Sequence, residues 1–191
     1  TWVADLEPSP HHEPTVFAAF DGHRSDDHTN YVYRSDDFGQ TWRSISSDMP
    51  ANRLVRAVQQ DTANPDLLYA ATELGFFVSI DAGVHWIELG STLPTLAIND
   101  FVIHPRDGDL VLGTHGRGIW ILDSIASLRE LTPTVVSSPA HLFSIDPARM
   151  IRRQGTRAQT GDATFRGSNS PSGAIIDYWL GVALEAESGE D

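Results

Sequence analysis

Short apolar runs, separated by turn-forming residues, make up most of the first 130 positions of the chain. Four such runs lie within residues 55–89, where "DTANPD", "ELG" and "DAG" separate them. Apolar positions do not recur every 3.6 residues across these runs, and β-branched and aromatic residues dominate them, so the pattern predicts strands. The four predicted strands are Arg56–Gln59, Leu67–Thr72, Phe76–Ile80 and His85–Leu89.

A similar order of runs occurs on either side of this unit. The preceding unit contains four predicted strands, Val3–Glu7, Thr15–Phe20, Tyr31–Ser35 and Thr41–Ile45. The following unit contains only three, Asn99–His104, Asp109–Thr114 and Gly118–Leu122. Four-stranded repeats of about 40–50 residues are typical of propeller blades. The sequence therefore predicts an all-β fold, a partial β-propeller of two four-stranded units and a third incomplete one.

An eight-residue motif occurs once in each complete unit, as "SDDFGQTW" from position 35 and "SIDAGVHW" from position 79. In an antiparallel meander it spans the turn between the third and fourth strands. There the glycine supplies a positive φ, and the aspartate accepts hydrogen bonds from its own turn. The tryptophan begins the outer strand and packs between units. We interpret the motif as a folding device and expect both tryptophans to be buried. The shared residues are Ser35, Asp37, Gly39, Trp42, Ser79, Asp81, Gly83 and Trp86.

These stretches resemble Asp-box repeats, also called BNR repeats, which occur in sialidases, sortilin-type receptors and xyloglucan-degrading hydrolases. The likeness covers roughly residues 1–131. It is closest to the C-terminal blades of large exported bacterial proteins described as sortilin-like or glycosyl hydrolase-like, which "GTHGRGIWILD" also resembles. His85 departs from the repeat, in which threonine is usual. Complete rings have about 4–8 blades, so the resemblance implies a fragment of a longer protein, or an arc completed by another chain.

Residues 132–191 differ in composition from the repeats, which predicts a domain boundary after residue 131. We interpret "LTPTVVSSPAH" as a linker, the Gly/Arg/Ser-rich segment after it as an irregular tail, and "EAESGED" as disordered. "AIIDYWLGVAL" is expected to form a strand. Because open edges recruit strands, this strand is expected to pair with the third unit or to be exchanged with another chain, and we favour the exchange.

The net charge of −13 includes no lysine, since all 13 basic residues are arginine. Such an acidic surface repels phosphate backbones, which argues against nucleic acid as a partner. The absence of cysteine excludes disulfides and thiolate metal sites. No run of about 18 apolar residues predicts a membrane span. The resemblance implies an extracellular or periplasmic location, although we recognise no export signal in this chain.

Candidate functional residues lie in the turns between the second and third strands, at the end of the units opposite to the motif. Alignment of "FAAFD", "YAATE" and "VLGTH" places Asp21, Glu73 and His115 at equivalent positions, and Arg24 and Arg117 follow in the same turns. Two carboxylates, an imidazole and two guanidiniums are suited to binding a sugar or a peptide. The alternative is that these residues cap strand ends, or bond to the neighbouring unit.

Asp21 and Glu73 are the candidate catalytic pair. Glycosidases hold two carboxyl groups about 5–5.5 Å apart for retention, or 6.5–9.5 Å apart for inversion. A cation bound by His12, His23 and His28, or by the aspartates at 26–27 and 36–37, is a weaker alternative to solvated loops. We therefore expect no metal and no cofactor.

Two functions remain open from the sequence. The first, which we favour, is a binding or scaffold module of an exported propeller protein, with a carbohydrate or protein ligand. The second is a piece of a glycoside hydrolase, either sialidase-like or xyloglucanase-like. Whether the chain is an enzyme is not decided by these residues.

Overall fold

The computed structural model describes residues 1–90, 93–148 and 173–182. Its main part is three antiparallel sheets that follow one another along the chain. The first contains β1 (Trp2–Pro8), β2 (Val16–Gly22), β3 (Asp27–Ser35) and β4 (Arg43–Ser44). The second contains β5 (Val55–Gln60), β6 (Leu68–Thr72), β7 (Gly75–Ser79) and β8 (Ile87–Glu88). The third contains β9 (Ile98–Ile103), β10 (Leu110–Thr114) and β11 (Ile119–Leu122). Two short helices follow, α1 (Ala126–Glu130) and α2 (Pro133–Val136), and then a strand pair, β12 (Ala140–Leu142) and β13 (Tyr178–Leu180).

The predicted all-β fold, with two four-stranded units and a three-stranded third, is confirmed. Each sheet is a meander in which strands adjacent in sequence are hydrogen-bonded neighbours, and no sheet of the described residues closes on itself. The outer strands β4 and β8 have two residues each, fewer than the five predicted. Their first predicted residues, Thr41 and His85, instead donate their backbone N–H groups to the motif aspartates, both at 2.8 Å.

The second sheet is buried on both of its faces. Every residue of β6 and β7 is buried, and successive side chains of a strand point to opposite faces. Leu68 and Phe77 pack against the first sheet, around Phe17. On the other face the Phe76 ring meets Phe101 of the third sheet edge-to-face, with ring centroids 4.9 Å apart. The second sheet therefore forms the common core between the other two.

Hydrogen bonds within the first copy of the motif hold its turn together. Ser35 Oγ accepts from the Gly39 N–H at 2.8 Å and donates to Asp37 Oδ1 at 2.7 Å. Gly39 has a φ of 81°, which favours glycine at this position. Hydrogen bonds from the Thr41 side chain and backbone, and then from Ser35, lower the pKa of Asp37 to about 2. Asp37 is thus occupied by its own turn.

The second copy has the same bonds with one change of donor. Ser79 Oγ accepts from the Gly83 N–H at 2.8 Å and donates to Asp81 Oδ1 at 2.8 Å. In the first copy the Thr41 hydroxyl lies 2.6 Å from Asp37 Oδ2. His85 Nδ1 occupies that position in the second copy, 2.6 Å from Asp81 Oδ2. A titratable imidazole thus replaces a hydroxyl that does not titrate.

The two motif tryptophans have different environments. Trp86 is 6% exposed, and its indole N–H donates at 2.6 Å to the carbonyl of Ile45, which directly follows β4 of the first sheet. Trp42 is 41% exposed and donates instead to Gly39 of its own turn at 3.0 Å. The expectation that both are buried is wrong for Trp42. The physical reason is that Trp86 packs on the preceding sheet, whereas no sheet of the described residues precedes the first one.

The segment after the third sheet differs in two ways from its predicted arrangement. The predicted linker contains α2, whose N-cap Thr132 accepts from the Val135 N–H at 3.3 Å, with proline in the first turn. The strand expected near the C-terminus is present as β13, but it pairs with β12 and not with the open edge of β11. Most of the predicted irregular tail and all of the acidic end lie outside the described residues. Where the chain is described, it has no helix of the length and apolarity that crossing a membrane requires.

The packing of Trp86 predicts an asymmetry between the two tryptophans. Trp86→Ala should lower the free energy of unfolding by about 3–5 kcal/mol, as for other buried aromatics. Trp42→Ala is the matched control and should cost clearly less, because its ring is partly in water. Urea denaturation of both variants measures the difference. Equal losses in the two variants would contradict the assigned packing.

The imidazole of His85 should make the contribution of the second motif copy to stability depend on pH, which is not expected for the first copy. Its hydrogen bond to Asp81, and then the charges of Asp81 and Asp48, raise the pKa of His85. The resulting stabilisation is complete below the unfolded histidine value of about 6.5 and is lost as the pH rises through the raised value. Burial alone would raise the pKa of Asp81, but hydrogen bonds from His85 and Ser79 lower it, so Asp81 stays ionised throughout this window.

The variant His85→Thr should therefore lose stability less than the wild type as the pH rises from about 5.5 to 8.5. Urea midpoints across this range give the comparison. The reciprocal variant Thr41→His should add a similar pH dependence to the first copy. Parallel pH profiles for all three proteins would show that the imidazole–carboxylate bond does not contribute.

Candidate functional site

The aligned polar residues end equivalent strands, at the edge of the sheets opposite to the motif. Within the first sheet, Ser35 of the motif pairs with Val16 at the start of β2, whereas Asp21 lies near the end of β2, opposite Trp2. Glu73 and His115 follow directly after β6 and β10. The meander thus separates the motif turns from the candidate residues by the length of a strand.

An open pocket of about 620 Å³ lies at this edge. It is formed by the first residues of β1, residues near the starts of β5 and β9, the end of β2 and the turns after β2 and β10. Of the five predicted site residues it brings together Asp21, Arg24 and His115, whereas Glu73 and Arg117 do not line it. The lining residues are Trp2, Val3, Ala4, Asp21, His23, Arg24, Arg56, Asn99 and His115.

Asp21 is the buried carboxylate of the pocket. It accepts from the His23 backbone N–H at 2.8 Å, and His23 Nδ1 lies 2.7 Å away. Arg56 Nη1 donates to its other oxygen at 2.7 Å. Burial raises the pKa of Asp21, but the hydrogen bonds from His23 and the charge of Arg56 outweigh burial and lower it. Asp21 therefore remains ionised at neutral pH and holds the turn that carries His23 and Arg24.

Arg56 links the two candidate catalytic carboxylates. Its Nη1 donates to Asp21 and its Nη2 donates to Glu73 Oε1. Glu73 thus reaches the pocket only through this guanidinium, and one positive charge is shared between two negative ones. A general acid must carry a proton near the working pH, and the lowered pKa of Asp21 works against this. Both carboxylates hold the Arg56 guanidinium in place.

Trp2 and Arg24 form the mouth of the pocket. Trp2 is 57% exposed, and the Arg24 guanidinium carbon lies 5.1 Å from the centroid of its ring, within cation–π range. Within the described residues, no carboxylate forms an ion pair with Arg24, whereas Arg56 and Arg129 each contact a carboxylate directly. Arg24 is therefore held by an aromatic ring and leaves its charge uncompensated.

The residues considered above as possible cation ligands do not form a metal site in the part of the chain that the structure describes. Across residues 1–90, 93–148 and 173–182, no group of three or more His, Asp or Glu side chains is arranged to hold a metal ion. His12 Nδ1 bonds to Thr15 at 2.9 Å, His23 bonds to Asp21, and His28 lies 3.5 Å from Asp26. The aspartates at 36–37 are bonded to Arg34, Thr15, Ser35 and Thr41.

Sequence reasoning missed three of the lining residues that can contact a ligand, Trp2, Arg56 and Asn99, and it named His23 only as a possible cation ligand. A usable signal was present for the three that were missed. In a meander the start of the first strand lies beside the end of the second, so polar or aromatic residues at strand starts share an edge with Asp21. Trp2, Arg56 and Asn99 all lie at or near such starts, whereas His23 required only the turn after β2 to be considered in full.

Comparisons with known proteins find similarity among solved structures. No family model matches the chain, and no curated protein matches its sequence. Among solved structures, a GH74 enzyme from Niastella koreensis, which has a β-propeller fold, is similar over 64% of this chain, with a TM-score of 0.52 and 21% identity. This chain covers 21% of that protein. At such identity the likeness shows the fold alone, which is a partial β-propeller.

Two further solved structures are similar at a lower level. A GH74 xyloglucanase from Xanthomonas campestris matches 62% of this chain and 20% of its own, with 18% identity and a TM-score of 0.49. An ancestral GH74 enzyme matches 61% of this chain and 14% of its own, with 18% identity and a TM-score of 0.48.

Proposed function

We propose that this chain is a ligand-binding part of an Asp-box propeller protein, and that its pocket binds carbohydrate. The observation that carries the proposal is the exposed ring of Trp2 at the mouth of a pocket whose other walls offer hydrogen-bonding side chains. An aromatic face stacks on the C–H face of a sugar ring, while the sugar hydroxyls need donors and acceptors around them. His23, Arg24, Asn99 and His115 supply these groups.

Binding fits the electrostatics of the pocket better than hydrolysis does. The two candidate carboxylates are bonded to the same guanidinium, and Asp21 stays ionised. Neither feature prepares an acid to protonate a leaving group. The alternative is a piece of a glycoside hydrolase, and it draws support from the structural neighbours, which are GH74 enzymes. In that case Asp21 and Glu73 would have to release Arg56 and contact the substrate instead.

The same proposal includes how the chain is assembled with further blades and where the protein is located. The apolar outer faces of the first and third sheets support contact with further blades, either of a longer propeller or of another chain. On the first sheet Leu6 is exposed, and the rings of Phe20 and Tyr33 lie 5.8 Å apart; on the third, Ile119 and Ile121 are exposed. We also propose an extracellular or periplasmic location and a domain boundary after residue 131. A protein ligand is the alternative to carbohydrate.

Removal of the aromatic ring tests the carbohydrate proposal. Trp2→Ala should abolish binding on an array of neutral and acidic oligosaccharides, because it removes the stacking surface. Trp42→Ala is the matched control, since its partly exposed indole does not line the pocket, and it should bind as the wild type does. Titration calorimetry with the best array ligand then quantifies the loss. Retained binding in Trp2→Ala would place the ligand elsewhere.

The hydrolase alternative has its own test. The wild type should bind its oligosaccharide without releasing new reducing ends, because Asp21 and Glu73 are engaged by Arg56. Hydrolysis that is present in the wild type and lost in both Asp21→Asn and Glu73→Gln would instead favour the hydrolase. The hydrolysis rates of the variants should be compared per amount of folded protein, since Asp21 also holds the turn after β2.

A further inference from the structure

We propose that the pocket selects acidic saccharides, and that Arg24 binds the carboxylate of a uronic acid residue. The inference rests on the proposed carbohydrate function and specifies its ligand class. It starts from Arg24, a pocket residue that forms no ion pair with any carboxylate of the described residues. In a chain with a net charge of −13, an uncompensated guanidinium in a pocket is a local feature that favours an anion.

The charges near Arg24 identify it as the guanidinium of the pocket that has no ion pair among the described residues. Arg56, the other guanidinium of the lining, donates to Asp21 and to Glu73 and is fully compensated. Asp26, two positions after Arg24, is fully exposed, and its nearest basic partner is His28 at 3.5 Å. No ion pair joins Arg24 to a carboxylate of the described residues, and its contact is with the Trp2 ring.

The local fold holds Arg24 in place for such a role. Arg24 is the middle residue of a single turn of 3₁₀ helix, His23–Ser25, which follows β2. The Asp26 N–H donates to the His23 carbonyl at 3.0 Å and closes this turn, and Asp21 anchors its start through His23. The Trp2 ring then restricts the long arginine side chain, so less conformational freedom is lost when it binds. A planar guanidinium in this position can donate two parallel hydrogen bonds to one carboxylate.

The same arrangement explains why an acidic sugar fits better than a neutral one. A neutral sugar gives the Arg24 charge no ionic partner, whereas a uronate supplies a charge-assisted hydrogen bond. Both oxygens of Asp21 are already bonded, one to Arg56 and one to His23, so Asp21 does not compete with the incoming carboxylate for Arg24. Trp2 favours a saccharide over a carboxylate-bearing peptide, since it places an exposed ring beside the charge.

Titration calorimetry with one matched pair of ligands tests the inference. The pair is a hexamer of galacturonic acid and its methyl ester, which has the same rings without the charge. The wild type should bind the acid about tenfold more tightly than the ester at low salt, and added salt should narrow this gap. Arg24→Gln should abolish the difference between the affinities for the acid and for the ester. Arg24→Lys should keep part of the preference, because it retains the charge but not the planar fork.

Arg106→Gln is the charge-matched control, since Arg106 is exposed and pairs with Asp107, and it should behave as the wild type does. Equal affinity for acid and ester in the wild type would overturn the acidic selectivity and leave the proposed carbohydrate function standing. Binding of neither ligand, together with no binding on the glycan array, would overturn the proposed function itself. Tighter binding of a peptide with a free C-terminal carboxylate would overturn the saccharide assignment.

Discussion

Burial of both faces of the second sheet is the constraint on which the rest of the structure depends. β6 and β7 have no exposed residue, so this sheet needs an apolar neighbour on each side. The first sheet covers one face and the third covers the other. Because all three are meanders in the same sense, this packing aligns the ends of β2, β6 and β10 at one edge. The pocket is a consequence of that alignment, since no single sheet supplies more than part of its lining.

Carboxylates have structural duties at both ends of the sheets. At the motif end, Asp37 and Asp81 accept hydrogen bonds from their own turns. At the pocket end, Asp21 accepts from the turn after β2 and shares Arg56 with Glu73. Acidic groups therefore hold turns and side chains in place, and the exposed polar and aromatic part of the pocket lining consists of indole, imidazole, amide and guanidinium groups. This division explains how so acidic a chain can leave Arg24 without an ion pair among the described residues.

The parts of the fold that could be predicted from the sequence are those set by neighbours in the chain. Strand runs, turn glycines and the bonds of Asp37 all depend on residues within a few positions of one another. Trp42 was predicted wrongly because its burial depends on the sheet beside it, about which its own eight residues carry no information. The position of Arg56 near a strand start could have been used, but its pairing with Asp21 and Glu73 could not be predicted, because these partners belong to two different sheets. The helix after Thr132 was different, since a threonine followed by proline is a local N-cap signal that was available.

The unequal tryptophans also have an optical consequence. An indole in contact with water emits at longer wavelength than one in an apolar environment, so Trp42 and Trp86 contribute different parts of the native fluorescence spectrum. Any molecule that covers the outer face of the first sheet would exclude water from Trp42 and shift its emission toward that of Trp86. In a variant that keeps only Trp42 and Trp86 of the five tryptophans, Trp42 would report assembly at this face and the buried Trp86 would serve as an internal reference.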